Sequence, residues 1–371
     1  MRNHLVILSV CGLNTAGARK VAAALPDAVF VSSPFGRGHV GADAAFQSRM
    51  LEGFATHPNT GAVLVMAPDR FLRERYQQAA EAAGRGAVGV SLQEVREDGE
   101  ALVVGAVAAG RRLLAGLRAE ARVPCPVADL ALALECGHSD ASSGIAANPL
   151  AGDLVDMLTG VGGAAIISET MEWTGTEDGL RARCAGPDIA ERLDALVRAR
   201  HAIARSAGVD VRLGNPGPQN HDGGITTLEE KSLGAVAKGG TGAIVGALAQ
   251  GEAIPRRSGL HLMDTPCLSC ESMSSMVAAG AQIVLFTTGQ GNPYGSAVAP
   301  TIKLTANPET ARRLPRQIDF DASGAFVGTA GRSDLAPALF DLMLDVADGR
   351  RTCAEIAGEG DEVISRLGPS I

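Results

Sequence analysis

The sequence predicts an α/β protein: an N-terminal open parallel-sheet domain of Rossmann-like type, followed by a larger α/β domain. Three observations predict it. Short apolar runs alternate with segments of helical period, as they do where a chain winds strand, helix and parallel strand in turn. The 46 glycines among 371 residues gather between these runs, where positive φ or close approach of a ligand to the backbone is needed. The balance is globular, 46% hydrophobic and 20% charged but only 3% aromatic, so the core must be built from Ala, Val, Leu and Ile.

In the first part, the apolar runs 5–10, 28–32, 62–66 and 87–90 read as strands, and the segments 16–25, 42–55 and 70–83 as the helices between them. A further helix at about 105–121 ends at Val123-Pro124-Cys125-Pro126, because the residue before a proline is pushed out of helical conformation. The boundary is placed there, giving domains 1–122 and 123–371. The second part opens with a strand at 130–134, a loop at 136–144 and a helix through 158, then a strand at 164–168 and a long helix at 189–207. After a segment dense in Gly, Asn and Pro at 214–224 come a helix at 227–238, a strand at 243–248, a helix at 273–279 and a strand at 282–287.

Composition excludes several classes of function. A formal charge of −8 argues against general affinity for nucleic acid or anionic membrane, which require a basic surface. No apolar stretch reaches the length of a membrane span, and Met1-Arg2-Asn3-His4 leads into no signal-peptide pattern, so the expected location is cytoplasmic. Seven scattered cysteines, an odd number, read as free thiols. The phosphate-loop pattern is missing from the sequence, so no nucleotide cofactor is indicated.

Three glycine-rich junctions follow strands or precede helices, where α/β folds place ligand loops. At the first, Cys136, His138 and Asp140 lie two apart after a strand, a spacing that would put thiolate, imidazole and carboxylate on one face and around a metal ion if extended geometry persisted. Packing or loop roles for Cys136 and His138 are the alternative, at about even weight. Asn148 follows closely, and Glu169 and Glu172, just after the next strand, are placed to face the same crevice.

The second junction, Gly223-Gly224-Ile225-Thr226-Thr227, delivers the chain into a helix with Thr226 or Thr227 as N-cap. Its free N–H groups would suit a carboxylate. Lys231 and Lys238 lie seven apart, hence on one helix face, and Gly234 and Ala235 between them would leave room for a small anion. A solvated lysine is the common alternative. The third junction, Thr287-Thr288-Gly289-Gln290-Gly291, offers hydroxyls and an amide that would read a polyol acid, where the alternative is a plain connection. Cys267 and Cys270 form one C-x-x-C with no second pair, so structural zinc is not expected. With Cys136 they form a minor candidate for an iron–sulfur site.

Taken in order, these segments resemble the altronate/galactarate dehydratase family, which also includes the large subunit of (2R)-sulfolactate sulfo-lyase. The resemblance runs nearly end to end. Its motifs are Arg2-Asn3-His4, His57-Pro58-Asn59, Cys136 to Asp140, Ala147-Asn148-Pro149, Ser168-Glu169-Thr170 with Glu172, the segment 223–234, Lys238-Gly239-Gly240, Met263-Asp264-Thr265-Pro266, the segment 286–291, and Ile302-Lys303 before Ile318-Asp319. Two positions depart from the family's pattern. His138 stands where glycine is usual, and Gln290 stands where the dehydratases commonly have arginine, a form similar to that of the sulfo-lyase.

The resemblance implies a catalytic second domain that eliminates water across C2 and C3 of a small hydroxy acid, giving a 2-keto-3-deoxy acid. It implies a divalent metal, ferrous iron first, with Mn2+ or Mg2+ as alternatives; the ligands expected for it, from the spacing at the first junction and not from the resemblance, are Cys136, His138 and Asp140. Lys231 is the expected base or electrostatic stabiliser and Glu230 or Glu169 the proton donor. Adjacent Glu230 and Lys231 point about 100° apart on a helix, so they cannot both face the substrate. Asn148, Gly223, Gly224, Thr226, Thr227, Lys238, Asp264, Thr287, Thr288, Gly289 and Gln290 are the expected substrate-binding set. A separate small N-terminal-type subunit and a homo-oligomer are the expected partners. Sulfite release from sulfolactate is the competing enzymatic reading, and a non-catalytic sugar-acid-binding subunit the competing reading of another class.

Overall fold

The computed structural model describes residues 1–36, 38–255 and 258–368. Its first sheet is built from β1 (His4–Ser9), β2 (Ala28–Ser32), β3 (Thr60–Ala67) and β4 (Gly86–Ser91), all parallel in the order β2-β1-β3-β4. The helices between and after them are α1 (Gly12–Ala24), α2 (Gly41–Thr56), α3 (Arg70–Ala82) and α4 (Gly99–Arg118). Helix α4 starts six residues earlier than its apolar pattern suggests, because Asp98 caps it by accepting from the amides of Glu100 and Ala101.

The second sheet has seven parallel strands: β5 (Ala131–Cys136), β6 (Ala164–Ile167), β7 (Ile244–Leu248), β8 (Gly259–Met263), β9 (Ile283–Thr287), β10 (Thr301–Thr305) and β11 (Phe320–Asp321). Their order is β11-β10-β9-β5-β6-β8-β7. Helices α5 (Asn148–Gly160), α6 (Glu177–Ala182), α7 (Pro187–Ser206), α8 (Pro218–Asp222), α9 (Leu228–Val236), α10 (Ser269–Ala278), α11 (Pro308–Arg313), α12 (Ser323–Val327), α13 (Arg332–Ala347) and α14 (Cys353–Ala357) complete it. The chain runs outward from β5 through β6, then crosses to build β9 to β11 on the other side. Cys136 pairs with Thr287 across that reversal, the place where open α/β sheets bind ligands.

Strand alternation sorts the apolar side chains into layers. On β1, Leu5 and Ile7 face α1 and α4 while Val6 and Leu8 face the other way. That second face shares one core with Ala133, Ile166, Val284 and Phe286 of the larger sheet, with α2 and α10 between the two sheets. Contact there is close: a Cβ at Gly53 of α2 would stand 2.1 Å from the Ala278 carbonyl oxygen of α10. The outer face of the larger sheet, Leu132, Leu134, Ile167 and Leu285, packs on α5 and α13. Among the described residues no helix is long and apolar enough to cross a membrane.

The join between the sheets contains buried imidazoles. His57 Nε2 lies 3.0 Å from the Ala281 carbonyl oxygen, and its Nδ1 accepts from the Asn59 amide at 2.9 Å, so the neutral tautomer serves both partners. Burial pushes His57 down to about 3 and His4 to about 4. A base depressed in the folded state gives stability that is whole above its ordinary value near 6.5 and is lost as pH falls toward the folded value. Resistance to urea unfolding is therefore expected to fall between pH ~6.5 and ~5, before most carboxylates titrate, and to fall less in His57→Gln. Equal slopes for the two proteins would contradict this.

Candidate active site

The carboxyl ends of β5, β6 and β8 deliver one cluster. Strand β5 ends in Glu135 and Cys136, both buried. Just past β6, Glu169 takes a left-handed conformation with φ 67° and ψ 69°, which costs a non-glycine residue roughly 1–2 kcal/mol. Thr265, beyond β8, holds it there: its hydroxyl accepts the Glu169 amide at 2.8 Å and its carbonyl accepts the Thr170 amide. The turn of 3-10 helix that follows carries Glu172 inward.

One ligand atom each from Cys136, Glu169 and Glu172 lies within 4.8 Å of the others. Two lysines neutralise the group. Lys238 Nζ donates to Cys136 Sγ at 2.9 Å, and Lys231 Nζ lies 2.8 Å from Glu172 Oε1 while donating to Asn215 Oδ1 at 2.7 Å. Glu135 accepts from the Ser272 hydroxyl at 2.6 Å, and Ser272 meets the Ser168 hydroxyl at 2.6 Å.

Burial drives the electrostatics. It pushes the Glu169 carboxyl well above the ordinary range, with the nearby Glu135 and Glu172 charges adding to the effect. It also raises Glu135 and the Cys136 thiol, against the opposing charge of Lys238. At Glu172 burial works upward too, but Lys231 and Lys238 outweigh it and hold the group below its ordinary value. Both lysines are raised: burial acts against their charge, and Glu172 for Lys231, with Cys136 and Glu135 for Lys238, more than offset it.

These residues fit a divalent metal. Four acidic groups face two ammonium groups, so the cluster stays net negative even when one carboxyl keeps its proton, a charge that favours a cation. Glu169 Oε2 is buried without a hydrogen-bond partner, an oxygen whose desolvation is costly unless something binds it. A thiolate with two carboxylates suits a borderline transition metal better than Ca2+ or Mg2+, which prefer oxygen alone.

The structure brings together only part of the set expected from sequence. Of the expected trio, Cys136 alone joins the cluster. Strand geometry ends at Cys136, the chain turns through Gly137, and His138 sits exposed at φ 50° with its Nδ1 against the Gly291 carbonyl oxygen. Asp140 is buried but committed: Ser142 and Ser143 occupy Oδ1, and Asn307 Nδ2 donates to Oδ2 at 2.8 Å. It fixes loops, since a Cβ at Gly289 would stand 2.2 Å from its Cγ and one at Gly223 2.7 Å from its Cβ. Glu230 is exposed and folds back to accept from Thr226 N and Oγ1, both at 2.9 Å, which takes it out of the cluster.

Thr227, not Thr226, caps α9, accepting the Glu230 amide. Helix α9 stops at Val236 and Lys238 lies in a 3-10 turn, so the two lysines do not share one continuous helix face, yet both reach the cluster. The space expected beside Gly234 is filled by Gly144, whose Cα would lie 3.1 Å from a Cβ there. Asn148 Oδ1 accepts from Thr287 Oγ1. Thr288 Oγ1 accepts the Gly291 amide, and Gln290 Nε2 donates to the Gln219 carbonyl. Asp264 is held by both arms of Arg200 at 3.0 Å and accepts from Thr170. Gly224, at φ 89°, makes the turn before α9. Cys267 and Cys270 are not in the metal-binding group. Sequence reasoning missed Glu135, although a carboxylate ending the apolar run Leu132-Ala133-Leu134 was the available signal.

Comparison with known proteins matches residues 127–370 to the family model "D-galactarate/Altronate dehydratase, C-terminal" and residues 1–117 to "D-galactarate dehydratase/Altronate hydrolase, second domain". The chain is 32% identical to the (2R)-sulfolactate sulfo-lyase subunit beta of Chromohalobacter salexigens, over 99% of this chain and 94% of that one. It is 33% identical to the altronate dehydratase of Escherichia coli over 96% of this chain and 73% of that one. It is 30% identical to the same organism's galactarate dehydratase (L-threo-forming), over 82% and 59%.

Proposed function

The chain belongs to the D-galactarate/altronate dehydratase family, and from that premise we propose that it is a metal-dependent hydro-lyase removing water from a sugar acid such as altronate or galactarate. The observation that carries the reading is the unpartnered Glu169 oxygen inside the buried cluster of Cys136, Glu169 and Glu172, faced by two lysines. Such a centre suits a step that builds negative charge beside a carboxylate.

In the reaction a base of the site takes the C2 proton, the C2–H electron pair becomes the C2=C3 bond, and the C3–O pair departs with oxygen, which takes a proton and leaves as water. The resulting enol tautomerises to a 2-keto-3-deoxy acid. Cys136, Glu169 and Glu172 would hold the metal, for which we propose ferrous iron; when bound it would supply a Lewis acid to the substrate carboxylate or 2-hydroxyl. Lys231 is kept charged by Glu172 at 2.8 Å, so we assign it to stabilising the enediolate rather than to removing the C2 proton. Glu135 and Glu169 are both buried, and the charge of Glu135 opposes ionisation of Glu169, so the two resist ionising together. The proton the pair retains is the one we assign to the departing hydroxyl, delivered through Glu169. Asn148, Thr287, Thr288, Gly289 and Gln290 form the proposed hydroxyl-reading wall, and Gly223, Gly224, Thr226, Thr227, Lys238 and Asp264 complete the proposed binding set.

Sulfite release from sulfolactate is the second reading. It is supported by Gln290, which stands where the dehydratases commonly have arginine, and by 32% identity to the sulfo-lyase subunit over 99% of this chain. That relative is named as one subunit of an enzyme, so a small separate subunit is the proposed partner. The test is anaerobic ferrous-iron reconstitution of the purified chain, with aldonic and aldaric acids and sulfolactate as substrates. The expected product is a 2-keto acid without sulfite. Sulfite release would replace the first reading with the second, and no turnover with or without added small subunit would overturn both.

A further inference from the structure

Lys238 reaches the buried thiol from a loop, and that loop is held from two sides by side chains outside the cluster. Lys238 is followed by Gly239-Gly240-Thr241-Gly242. Asp156, on the inner turns of α5, takes the loop's donors: its Oδ1 accepts from Thr241 N at 2.9 Å and Gly242 N at 3.1 Å, and its Oδ2 accepts from Thr241 Oγ1 at 2.8 Å. Arg183, just past α6, takes the loop's acceptors. Its Nη2 donates to the carbonyls of Gly239 and Gly242, both at 2.9 Å, and its Nε to Gly242 at 3.1 Å. Neither residue has an oppositely charged side chain within ion-pair distance among the described residues, so each charge is directed at backbone dipoles.

The close fit between them depends on glycine at two positions. Gly240 adopts φ 60° and ψ −155°, a region essentially reserved for glycine. A Cβ on it would stand 2.4 Å from Asp156 Oδ1, and one on Gly152 of α5 would stand 2.4 Å from the Ala237 carbonyl oxygen. Helix, carboxylate and guanidinium thus fix where the chain leaves Lys238, and the ammonium then meets Cys136 Sγ at 2.9 Å.

We propose that Asp156 and Arg183 are positioning residues for Lys238, gripping the 239–242 loop by its N–H and C=O groups so that the ammonium stays on the Cys136 thiol. The proposal rests on the reading of that cluster as the catalytic centre. Catalytic groups held by such outer contacts typically lose 10–100-fold in activity when the contact is removed, and a displacement of about 1 Å suffices.

The test compares wild type, Asp156→Ala, Asp156→Asn and Thr241→Val. Asp156→Ala is expected to lower kcat by about tenfold or more with KM within about twofold; Asp156→Asn, which retains one acceptor oxygen, is expected to recover part of it. In the metal-free folded proteins, alkylation of Cys136 by iodoacetamide, read on its peptide by mass spectrometry, is expected to change in the same order, because the nearest cation moves. This second readout needs no substrate. An inactive wild type whose Cys136 reactivity still tracks Asp156 would sink the functional reading and leave the positioning role standing. Unchanged kcat and unchanged Cys136 reactivity in Asp156→Ala, with thermal stability as the only change, would overturn the proposal. So would loss of both in Thr241→Val alone.

Discussion

Lys238→Met is expected to lower kcat by about 10²–10³, the range seen when one preorganised electrostatic group is removed from a reaction centre. Lys238 is among the largest fully buried side chains, 2% exposed, and carries a full charge. A charge so placed is stable only because Cys136, Glu135 and Glu172 surround it. Methionine has similar length and no charge, so the fold keeps its packing. The acidic groups respond by taking up protons, which shifts the cluster away from the ionised state that binds a cation. Circular dichroism and thermal unfolding establish that the variant is folded, and steady-state kinetics gives the loss. Turnover within about twofold of wild type would remove Lys238 from the mechanism.

Cys136→Ser is the second large effect. Sulfur is the soft donor in an otherwise carboxylate set, and the hydroxyl that replaces it stays protonated where the thiolate would ionise. Removing an outer contact of a metal ligand costs 10–100-fold in affinity; removing the ligand itself should cost at least about 100-fold for Fe2+ or Zn2+. Affinity for Mg2+ should change little, because that ion makes small use of sulfur. The substitution is nearly isosteric in a buried position, so thermal stability without metal is expected to stay close to wild type. Competition with a chelator of known affinity measures the difference. Equal ferrous affinity in the two proteins would mean that the thiol serves some other purpose.

The parallel architecture was legible because its strands are continuous apolar runs. Strand β2 is recovered to the residue and β1, β3 and β4 within two residues. Strand β8 was missed because it follows β7 closely with no clear helical segment between. Strand β10 was missed because Thr301, Lys303 and Thr305 give it a polar face, although Lys303 is buried against Glu359. At the site, Cys136, Glu169, Lys231 and Lys238 could be picked out by their places beside strand ends and glycines. His138 and Asp140 were drawn in by a two-residue spacing that presumed extended backbone, and a single left-handed residue at His138 ends it. Glu230 was drawn in as the neighbour of Lys231, yet a capping role claims it. Which of several acidic residues escapes such local hydrogen bonds is decided by long-range packing, and spacing does not record that.

A metal ion held by the Cys136 thiolate with Glu169 and Glu172 is central to the proposed chemistry. This is tested most directly by titrating the metal-free protein with Co2+ and recording the near-ultraviolet band of a cobalt–thiolate bond. A saturable band at one cobalt per chain is expected in the wild type, and no such band in Cys136→Ser. A wild-type protein that binds no cobalt, or a band of equal strength in the serine variant, would contradict it.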